Sequence, residues 1–226
     1  MPLFRTRLAD RVRDIFAGRY YLLVRYVAQH RRDWMDDVTR VKAENELLLN
    51  HCEACQLISA VVATNKVPGE IAELGVAYGA SAKLIAKYAG GRPIHLFDTF
   101  DGLPAPLDVD SAKFAAGDFK TTLGRVQAYL ADTPKGQISY HQGYFPQTAG
   151  PVADRAFSFV HLDADLYEST IEALKFFYPR MSPGGIILGH DYLSAAGVDR
   201  AYAEVFADKP EPVVELSGYQ CLMVKI

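Results

Sequence analysis

Residues 70–88 read EIAELGVAYGASAKLIAKY, and the fold turns on how that stretch divides. Glu70–Leu74 is a short apolar run with the character of a buried strand. Gly75 and Gly79 break it, and Ser81–Tyr88 carries its apolar residues at helical spacing. The same strand-then-helix unit recurs downstream. Buried strands are expected at Ile94–Asp98, Ile138–His141, Phe157–Asp163 and Gly185–His190, with helices at Thr121–Ala131, Glu168–Tyr178 and Val198–Ala207. Thr121 and Thr122 are candidate N-caps, because a hydroxyl there accepts from the free amides of a first turn. Gly184-Gly185 turns the chain into a strand. Alternation of this kind predicts an α/β fold: a doubly wound, mostly parallel sheet covered on both faces. Pro212–Leu216 and Tyr219–Ile226 are joined only by Ser217-Gly218, so the two closing strands must run antiparallel.

Upstream, Lys42–Thr64 reads as one long helix with Leu47, Leu48, Cys52, Cys55, Ile58, Val61 and Val62 on its apolar side. His51-Cys-Glu-Ala-Cys55 holds a C-x-x-C, but a structural zinc needs four ligands and the chain has no second pair. A redox motif would open a helix after a strand, whereas this one lies mid-helix, so the cysteines read as packing. From Met1 to Arg32 there are eight arginines against Asp10 and Asp14, and Leu3, Phe4, Leu8, Val12, Ile15 and Phe16 form an apolar stripe beside a basic face. Gly18 ends that helix, and Tyr20–Val27 begins another apolar stretch. Residues 1–66 are therefore expected to form a helical arm, and residues 67–226 the main domain. Such an arm suits a mobile lid or a membrane-surface helix; the more ordinary use is packing on its own domain or on a sister subunit, which makes a homo-oligomer the expectation.

The chain has 226 residues, half of them apolar, enough for one domain with a sizeable core and no need of a metal or disulfide staple. Charged residues make up 23% and the net charge is −3, which excludes a disordered chain and argues against a nucleic-acid binder. Three cysteines cannot close a disulfide framework, so a reducing, cytoplasmic setting is expected. No run reaches the roughly 18–20 apolar residues of a membrane span.

In open α/β sheets, ligands sit beyond the carboxyl ends of the strands. The first such end is Glu73-Leu-Gly-Val-Ala-Tyr-Gly-Ala-Ser81, where Gly75 and Gly79 allow a tight turn and close backbone approach to a ligand. As a dinucleotide fingerprint it is poor, reading G-x-A-x-x-A. A carboxylate at Glu73 would repel a pyrophosphate but suits a cationic ligand, such as an amino-acid ammonium beside a sulfonium. The second strand ends in Asp98, twenty-three residues after Gly75, where an acid can accept both ribose hydroxyls of NAD or of S-adenosylmethionine. Thr99 adjoins it. The third strand runs into Gln142-Gly143-Tyr144-Phe145-Pro146; Tyr144 and Phe145 suit an adenine border and a core equally well.

At the chemical end, Phe159-Val-His-Leu-Asp-Ala-Asp165 places Asp163 and Asp165 just past a buried strand, and the next strand ends in His190-Asp191. Asp163, His190 and Asp191 can converge as oxygen and imidazole donors. Carboxylates suit magnesium, while an imidazole moves the preference toward manganese, iron or zinc. A metal there would lower a hydroxyl's pKa and leave Asp165 to take the proton. The alternative is that these acids simply cap the helices that follow. His30, His51, His95 and His161 have no serine or cysteine partner that would make a nucleophilic triad.

Val67 to Tyr192 resembles the macrocin O-methyltransferase (TylF-like) family, metal-dependent class I methyltransferases acting on sugar hydroxyls of antibiotics. The resemblance rests on Glu73–Ser81, Phe97-Asp-Thr-Phe-Asp-Gly-Leu-Pro104, Gly143-Tyr-Phe-Pro-Gln-Thr148, His161-Leu-Asp-Ala-Asp-Leu-Tyr-Glu-Ser-Thr170, Ser182-Pro-Gly-Gly185 and Asp191-Tyr192. It implies a seven-stranded sheet ending in an antiparallel hairpin. It also implies S-adenosylmethionine held by Glu73, Gly75, Gly79, Ser81, Asp98, Thr99, Gly143, Tyr144 and Asp163. Asp163 and Asp191 match metal ligands for Mg2+ or Mn2+, and Asp165 matches the base. His190 departs from the pattern, standing where the family typically has the first of two adjacent aspartates. The expected activity is O-methylation of a small-molecule hydroxyl acceptor, with no nucleic acid and no stable membrane insertion. A phenolic, catechol or nitrogen acceptor, a nicotinamide oxidoreductase and a non-catalytic binding protein on the same fold are the rival readings.

Overall fold

The computed structural model describes residues 28–226, so the basic stripe expected within residues 3–27 lies outside the described residues. Residues 34–226 form one compact unit, so the segment 34–66 is built into the same unit as the sheet.

Helix α1 (Gln29–Glu44) buries Trp34, Val38 and Val41 at the i, i+4, i+7 spacing of one helical face. Asp37 on that face is also buried, accepting from Lys87 Nζ at 2.6 Å and from the Tyr88 hydroxyl at 2.5 Å. Where sequence periodicity suggested one helix from Lys42 to Thr64, the chain breaks after Glu44 and restarts as α2 (His51–Ala63). The restart is a capping box. The Asn50 side chain accepts from the Cys52 and Glu53 amides, while Glu53 Oε2 accepts from Asn50 N at 2.8 Å. Leu47 and Leu49 are buried from the irregular link, whereas Leu48, assigned with Leu47 to the apolar side of the expected helix, is exposed. Of the C-x-x-C, Cys55 is buried in α2 and Cys52 is half-buried, as the packing reading expected.

The sheet has seven strands in the order β3-β2-β1-β4-β5-β7-β6. They are β1 (Glu70–Leu74), β2 (Ile94–Asp98), β3 (Ile138–Gln142), β4 (Phe157–Leu162), β5 (Met181–Gly189), β6 (Val214–Glu215) and β7 (Cys221–Val224). The first five pair in parallel, and β7 runs antiparallel to both β5 and β6. Helices α3 (Ala80–Tyr88), α4 (Leu123–Tyr129), α5 (Tyr167–Phe177) and α6 (Ala196–Phe206) lie between strands in the chain. Gly184-Gly185, read from sequence as the turn into a strand, lies inside β5 at an irregularity where the partner of β4 jumps from Met181 to Ile186. Every residue of β4 is buried, as a central parallel strand covered on both faces requires. Phe97, Phe157 and Phe177 pack edge to face beside it; each buried ring is worth roughly 2–3 kcal/mol.

Strands β1 and β4 are neighbours, yet the chain leaves them in opposite directions, toward β2 and β3 on one side and β5 on the other. That is the topological switch point, where a crevice opens above the carboxyl edge. Among the described residues, no helix is long and apolar enough to cross a membrane.

Candidate active site

Strand register brings the chemical residues together. Leu162 of β4 pairs with both Leu74 of β1 and Gly189 of β5. The ladder continues one step further, with Asp163 N donating to Leu74 O at 2.9 Å and His190 N donating to Leu162 O at 2.8 Å. Asp163 and His190 therefore leave the sheet side by side, and Gly75 follows Leu74 at the same edge. A Cβ on Gly75 would stand 1.7 Å from the Asp163 carbonyl oxygen, and its φ is +86°, so the first glycine of the turn is what lets β1 and β4 stay paired to their ends.

A cavity of about 350 Å³ opens at this edge, within the size of small-ligand pockets. Gly75, Asp98, Thr99, Gly143 and Tyr144 line one part of it, and Asp163, Asp165, His190 and Asp191 another. Asp98 holds the glycine turn in shape. Its Oδ2 accepts from Val76 N and Ala77 N at 2.8 and 2.9 Å, and its Oδ1 from Phe100 N at 2.7 Å. A carboxylate has about four lone-pair sites, so acceptor capacity remains for a ligand hydroxyl.

Glu73, Gly79 and Ser81 are not among the cavity-lining residues, a difference from the sequence reading. Strand alternation turns Glu73 away from Leu74's side, and the carboxylate is fully buried. Glu73 Oε1 lies 3.0 Å from His161 Nδ1, while Oε2 has no partner. Burial, opposed in part by His161, raises the Glu73 carboxyl above its ordinary value. It lies beneath the site without lining the cavity, and His161, set aside from sequence, is its partner. Gly79 is the left-handed residue preceding α3, and Ser81 is buried in that helix's first turn.

The acids do not cap helices. The residue preceding α5 is Leu166, without a side-chain cap bond, and the Tyr167 amide is taken by Asp110 Oδ1 at 2.7 Å from the loop after β2. The residue preceding α6 is Ala195, also without a side-chain cap bond. Instead, Asp163, His190 and Asp191 each offer one ligand atom, all within 4.8 Å of one another. His190 Nδ1 lies 3.0 Å from Asp163 Oδ1 and 2.9 Å from Asp191 Oδ2. Burial opposes a charge on His190, but the carboxylates of Asp163, Asp191 and Glu53 outweigh it and hold the imidazolium far above its ordinary value. Asp191 is likewise buried, yet His190 and Lys113 keep its carboxyl well below the usual range. Burial, then the charges of Asp163 and Asp191, push Asp165 well above that range. Asp165 takes φ +61° to leave β4, a left-handed turn that brings it back to the cavity.

Two residues here escaped the sequence reading. Lys113, in the loop between β2 and α4, donates to Asp191 Oδ1 at 2.7 Å and to Ser194 Oγ at 3.0 Å. Glu53 reaches His190 from α2. The Asn50-x-x-Glu53 spacing is a readable capping signal, but nothing local says that the same carboxylate faces a strand end far along the chain.

The model of the macrocin-O-methyltransferase (TylF) family matches residues 30–213, most of the chain. The chain belongs to that family. Demethyldecarbamoylnovobiocin O-methyltransferase of Streptomyces niveus is 28% identical over 80% of this chain and 72% of its own length. A tetracenomycin-C rhamnosyl 4'-O-methyltransferase of Streptomyces olivaceus is 29% identical over 71% of this chain and 65% of its own length. Among solved structures, the O-methyltransferase NovP superposes with TM-score 0.68 at 24% identity, covering 75% of this chain and 78% of that one. Calicheamicin methyltransferase CalS11 gives 0.66 at 20% identity, covering 88% and 94%. The sheet order with its antiparallel hairpin and these superpositions identify the class I methyltransferase fold. As a macrocin O-methyltransferase family member the chain is an enzyme of the methyltransferase type.

Proposed function

We propose that this enzyme transfers a methyl group from S-adenosylmethionine to a hydroxyl of a sugar or natural-product glycoside, with a divalent ion, Mg2+ or Mn2+, held by Asp163, His190 and Asp191. One observation carries the reading: a single cavity at the β1–β4 switch point is bounded by the Gly75 turn and Asp98 on one side and by four titratable residues on the other. S-adenosylmethionine supplies an electrophilic methyl on sulfonium. Gly75, Asp98, Thr99, Gly143 and Tyr144 are the residues that would hold it, through close backbone approach and hydroxyl acceptance. Glu73 and Ser81 support that turn from beneath.

The donor set fits a divalent ion: two carboxylates and an imidazole, each offering one atom within 4.8 Å of the others. When bound, such an ion lowers the pKa of an acceptor hydroxyl. Asp165 takes the hydroxyl proton on its carboxylate, whose affinity for that proton is raised by burial and by the charges of Asp163 and Asp191. Leu103, Phe114 and Phe119 line the same cavity and exclude water from the transfer. The rhamnosyl-tetracenomycin acceptor named for one relative, and the demethyldecarbamoylnovobiocin named for another, support the substrate class. A homo-oligomer in the cytoplasm remains our expectation for its working state.

The test is calorimetric titration of S-adenosylhomocysteine, first with chelator and then with magnesium or manganese, with NAD as control. Micromolar binding of the homocysteine compound alone, and turnover abolished in Asp163→Ala with that binding retained, is the expected result. No binding under any condition would sink the assignment, and equal loss of binding and turnover in Asp163→Ala would make that residue structural.

A further inference from the structure

Glu53 does more than close a capping box. Its carboxylate is buried, and both oxygens are fixed by backbone amides: Asn50 N donates to Oε2 at 2.8 Å, and Tyr219 N donates to Oε1 at 3.0 Å. The second amide comes from the turn between β6 and β7. There Gly218 has φ +83°, and a Cβ on it would lie 2.3 Å from Glu53 Oε1, so the turn is seated directly on the carboxylate. Held from two sides, the group has little rotational freedom left. It faces His190, with Oε2 3.6 Å from the buried Nε2, while Nδ1 of the same ring points at Asp163 and Asp191. The ring thus has a carboxylate behind it and two in front.

An imidazole that ligates through one nitrogen donates its other N–H to an acceptor, and that acceptor fixes both tautomer and ring plane. We propose that Glu53 is the positioning residue for His190: it keeps the proton on Nε2 and the ring turned so that Nδ1 is presented as a ligand between Asp163 and Asp191. The inference rests on the reading of these three residues as a divalent-ion site, and it explains how a histidine serves at that strand end. An aspartate there would need no such support, whereas an imidazole has two nitrogens and must present the right one. The capping box, the β6–β7 turn and the ion site are joined through one carboxylate.

The test is a double-mutant cycle read by manganese binding to the full chain, with the electron paramagnetic resonance signal of free Mn2+ reporting affinity and no acceptor present. Glu53→Gln keeps the shape, gives up one backbone acceptor and removes the charge facing Nε2. It is expected to weaken Mn2+ binding about 10- to 100-fold, the usual effect of removing such a support. In a His190→Asp background the same change is expected to cost no more than about twofold, the limit of additivity for uncoupled sites. S-adenosylhomocysteine binding and the circular dichroism spectrum report that the variants fold; if Glu53→Gln does not, Glu53→Asp, which withdraws the charge by one methylene, takes its place in the cycle. Equal loss in both backgrounds would overturn the proposal and leave Glu53 a scaffold residue. So would wild-type affinity in the single variant. Manganese binding unchanged in Asp163→Ala would instead bring down the ion site itself, a distinct failure that takes this inference with it.

Discussion

Gly75→Ala tests the junction on which the whole site depends. The new Cβ would sit 1.7 Å from Asp163 O and 2.6 Å from Asp163 C, backbone atoms that cannot swing aside. A carbon and a carbonyl oxygen rest about 3.3 Å apart, so the ends of β1 and β4 must part by roughly 1.6 Å. Parting them breaks Asp163 N→Leu74 O at 2.9 Å and strains Gly75 N→Phe97 O at 3.0 Å, each worth about 1 kcal/mol. A left-handed alanine adds about 1–2 kcal/mol. The expected destabilisation is therefore about 3–4 kcal/mol. Gly91→Ala is the matched control. Gly91 has φ +81° and a Cβ there would meet nothing within 4 Å, so only the conformational cost of about 1–2 kcal/mol applies. Urea unfolding followed by circular dichroism gives both values, and calorimetry with S-adenosylhomocysteine should show at least a tenfold weaker affinity for the Gly75 variant alone. Equal destabilisation of the two variants would refute the argument that close approach of β1 and β4, and not backbone conformation alone, demands this glycine.

Other consequences are as specific. Asp110 joins the loop after β2 to the start of α5, accepting from Tyr167 N at 2.7 Å and Leu107 N at 2.8 Å. Asp110→Ala should cost about 1 kcal/mol and speed limited proteolysis within residues 103–118; an unchanged cleavage rate would remove that role. Lys113→Met frees Asp191 from its lysine partner and should tighten Mn2+ binding about 3- to 10-fold, or about 1 kcal/mol, measured by the same resonance titration. Weaker binding would mean that Lys113 instead holds Asp191 in position. Lys87, Tyr88 and Arg40 outweigh burial and keep the Asp37 carboxyl below its ordinary value. A carboxyl depressed on folding stabilises above its unfolded pKa, near ~4, and that stability is lost as pH falls through the folded value. Thermal melts should therefore show the wild type losing more stability than Asp37→Asn below about pH 4, with the neutral variant about 1 kcal/mol weaker at pH 7 after screening at the exposed partners. Parallel curves would show that Asp37 gains nothing from its charge.

The strands and their ligand-bearing ends are legible in the order of residues alone. Short apolar runs broken by glycines and alternating with helices leave few ways to bury both faces of a sheet, and Ser217-Gly218 is too short for anything but an antiparallel return. Because a parallel sheet places all its carboxyl ends on one edge, Asp98, Asp163 and His190-Asp191 can be assigned to one site from their strands. The remaining features depend on partners that are distant in the chain, so they emerge only when the chain is packed. The break at Asn50 is set by a capping box against buried Leu47 and Leu49, where a run of apolar residues looked continuous. Glu73 faces His161 and not the cavity, because alternation along β1 puts Leu74 and Glu73 on opposite sides, and only the packed sheet shows which side is open. The acids at Asp163 and Asp165 are released from capping because Asp110 caps α5 from another loop. Glu53 meets His190, and Lys113 meets Asp191, only because α2, the loop after β2 and the end of β5 converge on one edge. Local spacing reports which backbone a residue prefers; which charges share a low-dielectric pocket is fixed by the fold.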